Sequence, residues 1–140
     1  MRRRLETSPP LNGASPYPSI AGARVLVVEE RYLLALDLVR MLEDCGAAVV
    51  GPYSDVVSAL RPTLDQRLDC AVLDTDVRGA SATQLAEALS GQRVPFFFAT
   101  GYGMAALPNH LADRPLVRKP YTRDQILSTV EALLAPVRLH

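Results

Sequence analysis

The chain is short of several things that would each point to a particular chemistry. It has no tryptophan, two cysteines and two histidines, and its acidic and basic residues balance at 15 each. Cys45 and Cys70 do not stand in C-x-x-C spacing, so neither a disulfide framework nor a zinc site is expected. Both read as small buried apolar residues. The histidines, His110 and His140, fall in a loop and at the end of the sequence, and no Ser-His-Asp or Cys-His arrangement is suggested. Balanced charge removes the basic footprint that nucleic-acid binders show. No apolar run approaches the roughly 20 residues that cross a bilayer. Arg2, Arg3 and Arg4 open the sequence without the apolar stretch a secretory signal needs, so a cytoplasmic protein with no membrane or nucleic-acid partner is expected. Behind the first apolar run the chain reads VVEERY. That is neither G-x-G-x-x-G nor a Walker loop, and it speaks against dinucleotide and nucleoside-triphosphate binding.

What is there is an alternation of short apolar runs and amphipathic stretches. With 140 residues, 49% hydrophobic and 21% charged, the chain suits one domain with an independent core. Four of its 11 prolines lie in residues 9 to 18 among Gly and Ser, which makes residues 1–21 an expected disordered tail. From Arg24 the runs RVLVV (24–28), AAVVG (47–51), DCAVLD (69–74), VPFFFAT (94–100) and a brief one within PLVRKP (115–120) read as strands. The first is a continuous apolar run, as expected of a strand buried on both faces, and the fourth is the most hydrophobic stretch of the chain. Between them, Leu34, Leu38, Met41, Leu42 and Cys45 recur at helical spacing up to Gly46, a C-terminal stop. Ser54 is expected to cap a second helix that Pro62 kinks or ends. Ser81 with Gln84, and Thr122 with Gln125, make capping boxes for two more. The segment 101–114 holds two glycines and Pro108 and supports only a short or mobile helix. Strict strand–helix alternation gives an α/β fold, a five-stranded parallel sheet covered on both faces.

Ligands of open parallel sheets sit beyond the carboxyl ends of the strands. Strand one ends on Glu29 and Glu30, strand three on Asp74 with Asp76 two residues on, strand four on Thr100, and strand five on Lys119 before Pro120. Taken singly, each has an ordinary alternative: charge at a helix start, a cap, a turn hydroxyl, a solvated lysine. Together they place carboxylates, a hydroxyl and an ammonium at one edge. Carboxylates so close must share a proton or a cation, and Mg2+ suits an all-oxygen set with positions left for phosphate. A phosphoryl group on Asp74 would meet the metal, the Thr100 hydroxyl and the Lys119 charge, the neutralisation that phosphoryl transfer requires.

The stretches VLVVEERYLLA, AVLDTDVRG, PFFFATGYG and VRKPY resemble the receiver domain of two-component response regulators. More closely, they are similar to the alphaproteobacterial single-domain receivers marked by F-A-T-G-Y. The resemblance covers residues 22–137, with no output domain expected beyond it. It implies a flavodoxin-like, doubly wound sheet of strand order 2-1-3-4-5. It further implies Asp74 as phosphoacceptor, loaded by a sensor histidine kinase or a histidine phosphotransfer protein. Glu29, Glu30, Asp74 and the backbone carbonyl of Asp76 would hold Mg2+, and Thr100 and Lys119 would engage the phosphoryl oxygens. Self-catalysed phosphotransfer and dephosphorylation would be the only chemistry, with output through protein–protein contact from a monomer or weak homodimer.

Three departures stand out. Glu30 replaces the usual Asp and is one methylene longer, which matters to a metal that demands near-ideal octahedral geometry. Leu116 stands where ordinary receivers carry the switch aromatic, so Tyr102 is expected to take part of that role, with Tyr121 a weaker candidate. The Gly- and Pro-rich segment after Tyr102 stands where ordinary receivers have a firm fourth helix. Two other readings compete. Glu30 raises a degenerate receiver that binds partners without phosphorylation. AVLDTDV also matches the D-x-D motif of haloacid-dehalogenase-like phosphatases, but those place metal-binding acids after the lysine, where this chain has only Asp124 and Glu131 in an expected helix.

Overall fold

The computed structural model describes residues 15–75, 82–101 and 114–136. Five strands form one sheet: β1 (Arg24–Val28), β2 (Ala48–Tyr53), β3 (Cys70–Asp74), β4 (Phe96–Thr100) and β5 (Leu116–Arg118). All neighbours pair in parallel, in the order β2-β1-β3-β4-β5. This is the expected doubly wound arrangement. Among the described residues the helices are α1 (Tyr32–Asp44), α2 (Val56–Asp65), α3 (Ala82–Gly91) and α4 (Arg123–Leu134).

Successive side chains of a strand point to opposite faces, and the strands divide accordingly. Val25, Val27, Cys70, Val72, Phe97 and Ala99 pack with α1 and α4 around Leu38, Leu42, Ile126 and Val130. Leu26, Val28, Ala71, Leu73, Phe96 and Phe98 pack with α2 and α3 around Val56, Leu85 and Leu89. The Phe96 and Phe98 rings meet edge to face at 5.6 Å. This two-sided burial is why β1, β3 and β4 read as unbroken apolar runs. Both cysteines are buried and unbridged, and burial pushes the Cys70 thiol up to about 12.

Local signals fared unevenly. Thr122 and Gln125 form the expected capping box, with Gln125 N–H donating to Thr122 Oγ1 at 3.1 Å and Thr122 N–H to Gln125 Oε1 at 2.8 Å. Gly46 follows α1 with φ +91, the left-handed stop glycine supplies. The cap of α2 is Asp55 rather than Ser54, its carboxylate accepting from Ser58 N–H at 2.7 Å. Pro62 neither ends nor interrupts α2. It lies inside the helix and buried, where the only backbone bond its ring forfeits is the one from its own position. Ser81 lies outside the described residues. β2 runs two residues past its expected end, through Pro52, which an edge strand tolerates.

The tail expected over residues 1–21 is corrected at its inner end. Pro18–Ile20 is a short 3-10 helix, and Ile20 is fully buried in the α1/α4 core. Tyr17 Oη donates to Asp124 of α4, and Ser19 N–H donates to Glu131 Oε1 at 2.8 Å. One isoleucine in reach of a core, with its neighbours Tyr17 and Ser19 bonded to two α4 carboxylates, outweighs the composition around it: burying such a side chain is worth about 1.5–3 kcal/mol. Residues 1–14 lie outside the described residues.

Candidate functional site at the carboxyl edge of the sheet

Because all five strands run the same way, their last residues share one edge. At the centre of that edge β1 connects outward to β2 while β3 continues the other way, the switch point where doubly wound sheets bind ligands. Glu29 follows β1, Asp74 ends β3, Thr100 ends β4 and Lys119 follows β5. Glu29, Asp74 and Thr100 are buried polar residues of the chain, 2%, 3% and 1% exposed.

Three of these meet directly. Lys119 Nζ lies 2.9 Å from Glu29 Oε1 and 3.3 Å from Asp74 Oδ1. The lysine is anchored by its own N–H, which donates to the Thr100 carbonyl at 2.8 Å, extending the β4–β5 ladder by one residue. Glu29 is fixed from both sides. Its N–H donates to the Tyr53 carbonyl at 2.9 Å, and its Oε2 accepts from Arg31 N–H at 2.9 Å. Glu29 Oε1 has no directed hydrogen bond, so its contact with Lys119 is an ion pair of charge rather than of geometry. Burial raises the Glu29 carboxyl above its ordinary range. Lys119 and the Arg31 N–H pull it down, and Asp74 pushes it further up. Two buried carboxylates thus lean on one ammonium.

Thr100 is placed differently. Asp74 pairs in register with Ala99, so Thr75 stands beside Thr100 across the strand boundary. Strand parity puts Asp74 with Cys70 and Val72 on the α1/α4 side, whereas Thr75 and Thr100 follow Leu73 and Phe98 on the α2/α3 side. The Thr75 hydroxyl donates to Thr100 Oγ1 at 2.6 Å, and Thr75 N–H donates to the Ala99 carbonyl at 3.4 Å. Thr75 is a site residue that sequence reasoning passed over. In-register pairing of Asp74-Thr75 with Ala99-Thr100 is what sets the two hydroxyls side by side.

Glu30, next in the chain to Glu29, is half-buried. Asp76 and Tyr102, expected respectively as a carbonyl ligand and a switch aromatic, lie outside the described residues. Tyr121 is half-buried beside Lys119-Pro120, and its hydroxyl is enclosed without a hydrogen-bond partner. Burial raises its pKa, and the carboxylates of Glu29, Asp37 and Asp74 raise it further. Among the described residues no group of three or more His, Cys, Asp or Glu side chains is gathered for a metal. The donor chemistry nonetheless fits a hard cation. Glu29 Oε1 is a buried carboxylate oxygen lacking a directed donor, and a second carboxylate shares its lysine.

No family model matches the chain, and no curated protein does. Solved structures do. The chain is 36% identical to SdrG from Sphingomonas melonis Fr1, over 81% of its own length and 98% of that chain, with a TM-score of 0.70. The BeF3-activated conformation of SdrG from Pseudomonas melonis Fr1 matches at 36% identity over 82% and 98% of the two chains, TM-score 0.69. The PhyR response regulator REC domain of Erythrobacter litoralis shares the fold at 22% identity over 86% and 99%, TM-score 0.72. With a sheet order, a switch-point edge and a sequence match all pointing the same way, the chain belongs to the response-regulator receiver domains of two-component signalling.

Proposed function

We propose that this receiver domain takes a phosphoryl group onto Asp74 in a Mg2+-dependent reaction, from a histidine of a sensor kinase or histidine phosphotransfer protein. The observation that carries the proposal is the lysine between two buried carboxylates, Lys119 Nζ at 2.9 and 3.3 Å from Glu29 and Asp74. A bond from an Asp74 carboxylate oxygen to phosphorus forms as the phosphorus–nitrogen bond of the phosphohistidine breaks. The charge added at Asp74 is then met by Lys119, which already pairs with that carboxylate. Thr100, one strand over, supplies a hydroxyl donor for a phosphoryl oxygen. Glu29, Glu30, Asp74 and the Asp76 carbonyl would hold Mg2+, which would neutralise the phosphoryl oxygens when bound. That SdrG has a BeF3-activated conformation supports the reading, since beryllofluoride mimics a phosphoryl group on a carboxylate.

Output runs through protein–protein contact from a monomer or weak homodimer, with Tyr102 taking part of the switching role and residues 22–137 making up the receiver. A second reading, a receiver that binds its partner unmodified, is favoured by Glu30 alone, whose extra methylene crowds an octahedral ion. The phosphatase alternative is set aside by the family. The test is intact mass after incubation with a small phosphodonor and Mg2+. Wild type should gain one phosphoryl group, and Asp74→Asn or added chelator should abolish the gain. A wild type that never gains mass at high donor and metal would refute the proposal and leave the second reading.

A further inference from the structure

The Thr75–Thr100 hydrogen bond joins the residue after the phosphoacceptor to the hydroxyl that is to meet the phosphoryl group. Strand parity sets that bond on the α2/α3 side of the edge, whereas Asp74 belongs to the α1/α4 side. From the parity and the 2.6 Å bond we infer that Thr75 is a positioning residue, a latch that holds the Thr100 hydroxyl away from Asp74 until phosphorylation. The inference rests on the proposed role of Asp74.

Two partners compete for the Thr100 hydroxyl. Thr75 is held by its N–H on the Ala99 carbonyl, so its hydroxyl has little freedom to follow Thr100. Thr100 is 1% exposed, and a buried hydroxyl that gives up a partner must find another. In the unmodified protein Thr75 is such a partner. After phosphorylation a dianionic oxygen beside Asp74 offers a charge-assisted bond, roughly twice as strong as a neutral one. Turning Thr100 toward it breaks the bond to Thr75, so that bond is made in the resting state and lost in the active one. A contact present in only one of two states biases the equilibrium between them by its own worth. A net hydrogen bond of about 1 kcal/mol corresponds to about five-fold in the population ratio.

The strand pairing alone would also account for two adjacent threonines at a sheet end, where Thr–Thr pairs are a common source of modest stability. The two accounts differ in sign. Loss of a purely structural pair weakens the site or leaves it alone. Loss of a latch strengthens binding of anything that mimics the phosphorylated state.

The experiment titrates beryllofluoride with Mg2+ into wild type, Thr75→Val and Thr75→Ser, followed by NMR. Thr75→Val keeps shape and removes the hydroxyl, and it should bind beryllofluoride about five-fold more tightly. Its Thr100 resonances before addition should already be displaced toward the wild-type bound position. Thr75→Ser keeps the hydroxyl and should behave as wild type. Thr75→Ala serves as a second hydroxyl-free variant should Val disturb the strand end, with melting curves checking that each folds. Equal or weaker binding by the hydroxyl-free variants overturns the latch, and so does a Thr75→Ser that matches Thr75→Val. A wild type that binds no beryllofluoride overturns the phosphoacceptor reading and the latch with it.

Discussion

Replacing Lys119 by Met keeps a long apolar stem and removes the charge, and the consequence can be worked from the cluster it leaves. Glu29 and Asp74 have side chains 1% and 3% exposed, and the ammonium lies within 3.3 Å of both. Removing one partner from a buried charge pair costs about 3–5 kcal/mol when the remaining charge cannot escape. Here it can, by taking up a proton. Glu29 is the group to take it, because burial already raises its carboxyl and Lys119 is the largest influence pulling it down. A carboxyl whose folded pKa is raised above its unfolded one stabilises fully below the unfolded value and loses that contribution as pH rises toward the folded value. Each pH unit in that window costs about 1.4 kcal/mol. Lys119→Met should therefore melt close to wild type at pH 5. It should fall behind with rising pH, toward a deficit of about 3 kcal/mol. For a chain of this size that is about 10 °C in melting temperature. Melting curves of both proteins at half-unit pH steps in chelator, so that no metal replaces the lysine, give the answer. A deficit that is the same at pH 5 and pH 7.5 would refute the reasoning, since it would mean the carboxylates do not depend on Lys119 for their charge.

Three further outcomes are expected. Ile20→Ala removes a fully buried side chain from the α1/α4 core and should cost about 2–4 kcal/mol in urea unfolding, whereas a true tail residue would cost nothing. Gly51→Ala forces a side chain onto φ +109 with its Cβ 2.9 Å from both the Val27 carbonyl oxygen and Tyr53 N. A loss of about 2 kcal/mol or more is expected, and a neutral result would mean that the β1–β2 pairing, whose register shifts between Leu26 and Val28, relaxes there. Glu30→Asp shortens the second acid, and calorimetric titration should show Mg2+ binding several-fold more tightly if Glu30 is the handicap its length suggests. Unchanged affinity would remove the one observation favouring a receiver that acts unmodified.

The sheet was legible in the sequence because burial on both faces leaves a simple mark. VLVV and FFFA admit few readings other than strands enclosed by helices, and the alternation of Phe97 against Phe96 and Phe98 is the pleat itself. The acids were legible because strands that stop on charged residues have only one edge to put them at. The errors came where a single residue outweighs its neighbours. Pro-rich composition hid Ile20, whose burial decides the inner end of the tail. Asp55 beats Ser54 as a cap by one position, a choice that depends on backbone geometry rather than on residue type. Thr75 was missed because its role depends on the register between β3 and β4, a relation between strands that no single stretch carries.

That register also bears on how the edge is divided. A metal and a lysine can share carboxylates on the α1/α4 side, while the hydroxyl expected to sense the product belongs to the neighbouring strand and the opposite face. Under the proposed function, charge neutralisation and signalling fall to different groups, one fixed by ion pairs and the other joined to Thr75 by a neutral hydrogen bond. The first is strong and expensive to rearrange, because buried ions must stay compensated. The second is weak enough for a new anionic partner to displace it. A site built this way can keep its carboxylates in place through a phosphorylation cycle and still let one hydroxyl move. For that reason substitutions at Lys119 should register chiefly in stability and its pH dependence, and substitutions at Thr75 chiefly in the balance between resting and phosphorylated states.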